Sequence, residues 1–187
     1  MNADATIRSV STWVEQLVVG EQLCPFARLP LQSGRVRFEV TQATSADELL
    51  ACLAEEIKRL EQTPEIETTL LIHPNVLTDF LTYNQFLDEV DALLRRLDME
   101  GVFQVASFHP DYQFAGTEVE DAENYSNRSP YPLLHLLREA SIETAIDSFE
   151  NIDGVPDRNI RHLRQIGASA LAERLNACFQ DSDEPIL

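Results

Sequence analysis

The alternation of short β-prone runs with long amphipathic segments is the feature that most constrains how this chain can fold. Strands are predicted near residues 35–43, 68–73 and 102–109, and the segments that begin at Ser45 and Asp79 repeat apolar residues at helical spacing. Strands and helices that alternate in this order are typical of parallel βαβ crossovers. We therefore predict an α/β fold with a small, mainly parallel sheet packed by helices. A ferredoxin-like antiparallel arrangement is the structural alternative.

The second half of the chain is predicted to add helices. Residues 111–127 show neither a helical nor a strand period, and loops of this length in compact domains are often functional. A helix is predicted from Ser129 to about Ser148, because Pro130 suits a first helical turn. Further C-terminal helices follow this one. Three strands are few for a sheet, so the loops could hold a further short strand.

Length and charge limit the possible classes of protein. The 187 residues predict one α/β domain over 1–180, followed by an acidic flexible tail over 181–187. Lys and Arg number 14 and Asp and Glu number 32, which gives a formal net charge of -18. So acidic a chain repels phosphate backbones and anionic membrane surfaces. We therefore expect neither nucleic-acid nor membrane binding.

The N-terminus and the cysteines indicate a cytoplasmic location. The first ten residues lack the basic and apolar regions of a secretory signal, and no apolar stretch approaches the roughly 20 residues of a membrane helix. The cysteines, Cys24, Cys52 and Cys178, are odd in number and have no CxxC spacing. This argues against a disulfide framework and a structural zinc site.

Two predicted strands end in His-Pro, at His73-Pro74 and His109-Pro110. In open α/β sheets ligands bind beyond the carboxyl ends of the strands, so parallel strands would bring both histidines into one region. Asp111 lies two residues after His109, and an extended backbone places both on one face. Two imidazoles and a carboxylate could act as acid and base. The alternative is that each histidine satisfies a backbone group at a strand end.

A candidate anion site follows the long loop, at Asn127, Arg128 and Ser129. Free amides in the first turn of a helix, together with a guanidinium, suit a carboxylate or phosphate. His135 and Arg138 are three residues apart, so on a helix they would share one face. An ordinary helix cap, with Arg128 paired to an acidic residue, is the competing interpretation.

Cys24 is a candidate nucleophile because it follows a helix and precedes a proline, whereas the other cysteines lie in helical core stripes. A reactive thiol requires a nearby positive group that lowers its pKa. The competing interpretation is a small buried side chain without chemistry.

Four strings carry a family resemblance: LCPFA, TLLIHP, FQVASFHPDYQFAG and ENYSNRSPYPLLHLLRE. Together they resemble the bacterial family catalogued as domain-of-unknown-function family number 1415. The resemblance extends from the helix of Trp13 to Gly167. It implies a cytoplasmic bacterial protein and agrees with a single domain, but it assigns no role to any residue.

Three functions compete at this stage. The first is an enzyme that acts on a small polar or anionic molecule through the two strand-end histidines. The second is a metal-dependent enzyme with His73, His109 and Asp111 as ligands, joined by His135 or Cys24. The third is a non-enzymatic binding or interaction protein. A small-molecule ligand is expected, while the cofactor and the oligomeric state are left open.

Overall fold

A computed structural model describes residues 2–147 and 152–180, and this part of the chain holds seven α-helices and a four-stranded sheet. The predicted tail, 181–187, lies outside the described residues. The helices are α1 (Ala3–Trp13), α2 (Arg28–Gln32), α3 (Ala46–Gln62), α4 (Phe80–Arg96), α5 (Glu139–Asp147), α6 (Val155–Ile166) and α7 (Ala168–Gln180). The strands are β1 (Val36–Val40), β2 (Thr68–Ile72), β3 (Phe103–Phe108) and β4 (Leu133–Arg138). A π-helical segment, Val14–Val19, continues α1, and a 3-10 helix spans Ala122–Ser126.

The sheet is mixed, so the prediction of a mainly parallel sheet is wrong. The strand order is β1-β2-β4-β3. Strands β1 and β2 are parallel, while β4 runs antiparallel to both β2 and β3. The three strands predicted from the sequence are present and run in one direction. The antiparallel pairs come from the fourth strand, which lies between β2 and β3.

This fourth strand occupies a segment for which the sequence predicted a helix. Leu133, Leu134 and Leu136 of β4 are fully buried, and they face both sides of the sheet. Leucine is a good helix former, and a run buried on both faces lacks the alternation that identifies a strand. Packing between two neighbouring strands therefore overrides the local preference. The helix in this region, α5, begins only at Glu139.

Helices cover both faces of the sheet. Leu71 of β2 belongs to a first apolar cluster, which includes side chains of α3 and α4. Leu70 and Ile72 point the opposite way, into a second cluster with α1, α6 and α7. The two long crossover helices thus share one face, as right-handed connections predict. Within the described residues, no helix is long and apolar enough to cross a membrane.

Candidate functional site

The two His-Pro segments lie at the same edge of the sheet. Because β2 and β3 run in one direction, their carboxyl ends lie on either side of the start of β4. The backbone N–H of His73 donates to the carbonyl of Pro132 at 3.0 Å, and that of His109 donates to Asn127 at 3.2 Å. Both histidines are 0% exposed. The fold therefore brings the two predicted residues together at what we call the carboxyl edge.

Tyr83 of α4 contacts both imidazole rings. Its ring centre lies 5.7 Å from that of His73, in a stacked orientation, and 5.2 Å from that of His109. The Tyr83 hydroxyl donates to the Leu133 carbonyl at 2.8 Å and accepts from the Phe108 N–H at 3.0 Å. Burial raises the pKa of Tyr83 far above its ordinary value, so the phenol stays neutral. The sequence placed this residue on an apolar helix stripe and gave no signal of its polar role.

His109 uses both ring nitrogens within the chain. Its Nδ1 accepts from the Asp111 N–H at 3.0 Å, so its Nε2 carries the proton and donates to the Leu77 carbonyl at 3.2 Å. Leu77 has φ 55°, a left-handed conformation that is uncommon for residues other than glycine. Burial lowers the pKa of His109, although the Leu77 bond and the charges of Asp111 and Asp79 oppose this effect. The hydrogen bond from His109 thus stabilises the turn that contains the left-handed Leu77.

His73 has one ring nitrogen without a partner. Its Nδ1 lies 3.0 Å from the Val76 carbonyl, and because a carbonyl only accepts, Nδ1 carries the proton. The lone pair of Nε2 is buried and has no hydrogen-bond partner among the described residues. Burial lowers the pKa of His73 to about 4, so the ring is neutral near pH 7. His73 therefore presents a buried acceptor that the protein itself does not use.

The outer rim of the carboxyl edge is aromatic and acidic. The Phe80 ring lies 5.5 Å from the His109 ring and 5.1 Å from the Tyr112 ring. Asp79 and Asp111 are exposed beside them, and the charge of each raises the pKa of His109. Asp79 also caps α4 by accepting from the Thr82 N–H at 2.9 Å. This rim favours polar or positively charged groups over anions.

The long loop over 111–127 is ordered by two side chains. Asn124 is fully buried, and its Oδ1 accepts from the Phe114 N–H at 3.1 Å and from the Thr117 hydroxyl at 2.8 Å. Arg128 donates to the Tyr112 carbonyl at 3.1 Å and stacks on Tyr125, with its guanidinium carbon 4.7 Å from the ring centre. Polar contacts of Asn124 and Arg128 thus order the loop. The amino-acid sequence of the loop has no helical or strand period, so it does not reveal these contacts.

The helix on which the predicted anion site depended is absent from this segment of the described chain. Ser129 precedes a strand, and its hydroxyl donates to the Tyr131 carbonyl at 2.7 Å. Asn127 donates from its side-chain amide to the Ser107 carbonyl at 3.0 Å. Arg128, described above, also donates to the Val119 carbonyl at 2.8 Å. The donors proposed for an anion are therefore directed at main-chain carbonyls.

His135 and Arg138 lie on β4 and not on a helix, so their spacing of three residues places them on opposite faces of the sheet. Nε2 of His135 lies 2.7 Å from the Thr68 hydroxyl, and burial lowers its pKa to about 4. Arg138 donates to the carbonyls of Thr63 and Ile66, at 3.2 and 3.1 Å. Because this segment forms a strand and not a helix, the two side chains do not share a face. The structure therefore does not bring them together at the carboxyl edge.

Cys24 also lies apart from the histidines. Its neighbour Leu23 belongs to the second cluster, on the sheet face opposite to that of Tyr83. Burial raises the pKa of the Cys24 thiol, and hydrogen bonds from the N–H groups of Phe26 and Ala27 offset only part of this effect. A nucleophilic role would require the reverse shift.

The metal-ligand set proposed from the sequence is not assembled. No group of three or more His, Cys, Asp or Glu side chains among the described residues has the geometry to hold a metal ion. Both ring nitrogens of His109 are already bonded. Of the two histidines at this edge, only His73 therefore has a ring nitrogen, Nε2, whose lone pair has no partner among the described residues.

Comparison with known proteins gives one match. A family model described as protein of unknown function (DUF1415) matches residues 5–173 of the chain. No curated protein and no solved structure matches it.

Proposed function

We propose a function for this chain, which belongs to the family of proteins of unknown function DUF1415, from its own site. The carboxyl edge binds a small polar molecule that donates a hydrogen bond to Nε2 of His73, and it acts on that molecule as an acid–base enzyme. The single observation that carries the proposal is the buried, unpartnered Nε2 of His73.

An orphaned acceptor in the interior is costly. Leaving a buried polar group without a partner costs about 1–3 kcal/mol, so such groups are uncommon and often have a functional reason. The pKa of about 4 keeps His73 unprotonated near neutral pH, which leaves Nε2 available as a hydrogen-bond acceptor and as a weak base. A ligand with a hydroxyl or amine would supply the missing donor.

The rim indicates the chemical class of the ligand. Carboxylates at Asp79 and Asp111 attract a positive group, and the rings of Phe80 and Tyr112 offer faces on which a cation can stack. Arg128, expected to hold an anion, is engaged by carbonyls. An amine-bearing polar molecule therefore fits this rim better than the anionic one that the sequence suggested.

The proton transfer would use the existing bonds of His73. The ligand donates its proton to Nε2, and the imidazolium that forms keeps its Nδ1–H bond to the Val76 carbonyl. This bond favours the charged ring, but burial outweighs it and lowers the pKa of His73 to about 4, so a buried imidazolium returns its proton readily and acts as an acid once it has formed. Because His73 is 0% exposed, a ligand can reach Nε2 only when neighbouring side chains or backbone move.

A non-enzymatic interaction protein is the second candidate, and one observation favours it. Three of the four ring nitrogens of His73 and His109 bond to main-chain groups. In that case the histidines fix the turn over 74–79 as a rigid surface for a partner protein.

We also propose that residues 1–180 form one domain, since the described strands share one sheet. The expected cytoplasmic location remains a prediction.

A thermal-shift screen of amines, amino alcohols and carboxylates tests the proposal. His73→Asn is the informative variant, because the Asn amide can replace Nδ1–H as a donor to Val76 but has no counterpart of Nε2. We expect an amine-bearing compound to bind the wild type, and the variant to bind it at least about tenfold more weakly. Gln62→Asn, at an exposed position on helix α3, is the control because it lies in neither candidate site. Unchanged affinity in His73→Asn, or hits restricted to carboxylates, would contradict the proposal.

A further inference from the structure

A second candidate site lies on the other side of the molecule, between the turn that follows the π-helical segment and helix α6. A surface pocket of about 390 Å³ is lined there by Gly20, Glu21 and Gln22 from the turn and by Arg158, Arg161 and His162 from α6. Leu163 of α6 packs in the second cluster, so α6 lies on the sheet face opposite to that of Tyr83. We propose that this arginine pocket binds a small molecule carrying a phosphate or carboxylate group.

Charge in the pocket is positive although the chain is strongly acidic. Arg158 donates to the Gln22 carbonyl at 2.5 Å and to Oδ1 of Asn159 at 3.0 Å, and neither acceptor carries a charge. Arg161 is exposed and forms no salt bridge with any described residue. Among the described residues, two guanidinium charges are thus left without a carboxylate partner, although the net charge of the chain is -18.

The carboxylate in the pocket is already compensated. Glu21 contacts Nε2 of His162 at 2.7 Å and also pairs with Arg174 of α7. Burial raises the pKa of Glu21, but the hydrogen bonds from these two residues outweigh burial and lower it. Glu21 therefore does not neutralise the arginines, and an incoming anion would meet both of them.

The turn opposite the arginines has a fixed shape. Gln22 has φ 56°, and the carbonyl of Leu23 accepts from the Asn159 side chain at 2.7 Å. At Gly20 a Cβ atom would lie 2.1 Å from the Gln16 carbonyl oxygen, so the close π-helical approach excludes any side chain there. Helix α6 thus holds the turn in place beside the two guanidinium groups. Arg158 uses its Nε and Nη2 on Asn159 and Gln22 and so contributes positive charge, whereas Arg161 is exposed and offers the planar, bidentate geometry that suits carboxylates and phosphates.

The structure divides the three arginines that recur along α6. Arg164 pairs with Glu123 under the 3-10 helix and serves the fold. Arg158 and Arg161 face the pocket instead. Arg96 on α4 is likewise exposed and outside the salt bridges of the described residues, so it is the pocket beside Arg158 and Arg161, and not the missing pair alone, that favours a ligand there.

Titration of the full chain with inorganic phosphate and with citrate, followed by backbone amide NMR, tests this inference. We expect saturable shifts confined to residues 20–23 and 158–162, and an affinity at least about tenfold lower in the double variant Arg158→Gln/Arg161→Gln. Arg95→Gln/Arg96→Gln removes the same charge from exposed positions on α4 and should bind like the wild type.

Phosphate and citrate distinguish the two chemical sources of the anion, and saturable binding of either one supports the site. Shifts that do not saturate, or an equal loss of affinity in the α4 variant, would overturn it. The inference would also be overturned if the arginine pocket bound an acidic protein but responded to neither phosphate nor citrate. The result does not depend on His73, so the proposal for the carboxyl edge can fail or hold separately.

Discussion

The carboxyl edge and the arginine pocket differ in the burial of their functional side chains and in the sign of their exposed charge. At the edge the histidines are buried, three of their four ring nitrogens bond to main-chain groups, and the exposed rim carries Asp79 and Asp111. At the pocket, Arg161 is exposed and Arg158 half-buried, and neither has a carboxylate partner among the described residues. The first arrangement couples any ligand to the stability of the fold. The second allows a ligand to bind with little effect on the fold.

Within the carboxyl edge, His73 and His109 show how much one hydrogen bond decides. They end equivalent strands and are equally buried. His109 has two main-chain partners, whereas His73 has one and keeps a free acceptor. Identical residue types in matching positions can therefore differ between a structural and a functional role.

The largest expected effect is the loss of stability when Phe86, a buried residue of helix α4, is replaced. Phe86 lies on α4, one turn after Tyr83, and is 6% exposed in the first cluster. Phe86→Ala should lower the free energy of unfolding by about 3–5 kcal/mol, measured by urea denaturation. Leu81→Ala on the same helix is the control, because Leu81 is 70% exposed and should change stability by about 0.5 kcal/mol or less. Equal effects would contradict the burial described for α4.

The next effect appears on acidification. His73 has a pKa of about 4 in the folded state and about 6.5 when unfolded, so between these values the unfolded state binds more protons. The stability that neutral His73 provides is complete above about pH 6.5 and is lost as the pH falls toward 4, by about 3 kcal/mol in total.

Urea denaturation across pH 4 to 7 checks this prediction. The His73→Asn variant should lose less stability than the wild type over that range, while His135, whose pKa is also about 4, continues to contribute in both proteins. Parallel pH profiles for the two proteins would show that His73 does not titrate as described.

A smaller loss is expected at His109. His109→Asn can keep an acceptor for the Asp111 N–H but removes the donor to the Leu77 carbonyl, so stability should fall by about 1–3 kcal/mol. His109→Gln places an amide near the Nε2 position and should recover part of the loss in thermal denaturation. A His109→Asn protein as stable as the wild type would mean that the strained turn does not need this bond.

The smallest effect is expected at the arginine pocket. Arg158→Gln/Arg161→Gln should change the free energy of unfolding by about 1 kcal/mol or less, because Arg161 is exposed and Arg158 is half-buried with hydrogen bonds only to neutral groups of the described residues. Thermal denaturation at low and high salt measures this. A loss comparable to that of His109→Asn would remove the contrast between the two regions.

The sequence predicted the parts of this fold that depend on local periodicity. The three parallel-running strands and the shared edge of the two histidines are confirmed because alternation and His-Pro boundaries are local signals. Strand β4 was missed because Leu-rich segments buried on both faces resemble helices. This error also produced the predicted helix start at Ser129.

The roles of individual polar side chains could be predicted only in part. Tyr83 bridges β3 and β4, and this contact depends on a pairing that spans 50 residues of sequence. The difference between Arg164 and the other two arginines of α6 depends on the position of Glu123, which is 41 residues away along the chain. Such roles follow from tertiary packing and leave no trace in residue spacing.

Long-range ¹H–¹⁵N NMR of the imidazole rings tests the central claim most directly. We predict that His73 carries its proton on Nδ1, with an unbonded Nε2 and a pKa near 4, while His109 carries its proton on Nε2. The Nε2 signal of His73 should shift when an amine-bearing ligand binds. A His73 ring protonated on Nε2, or one that titrates near pH 6.5, would contradict the account.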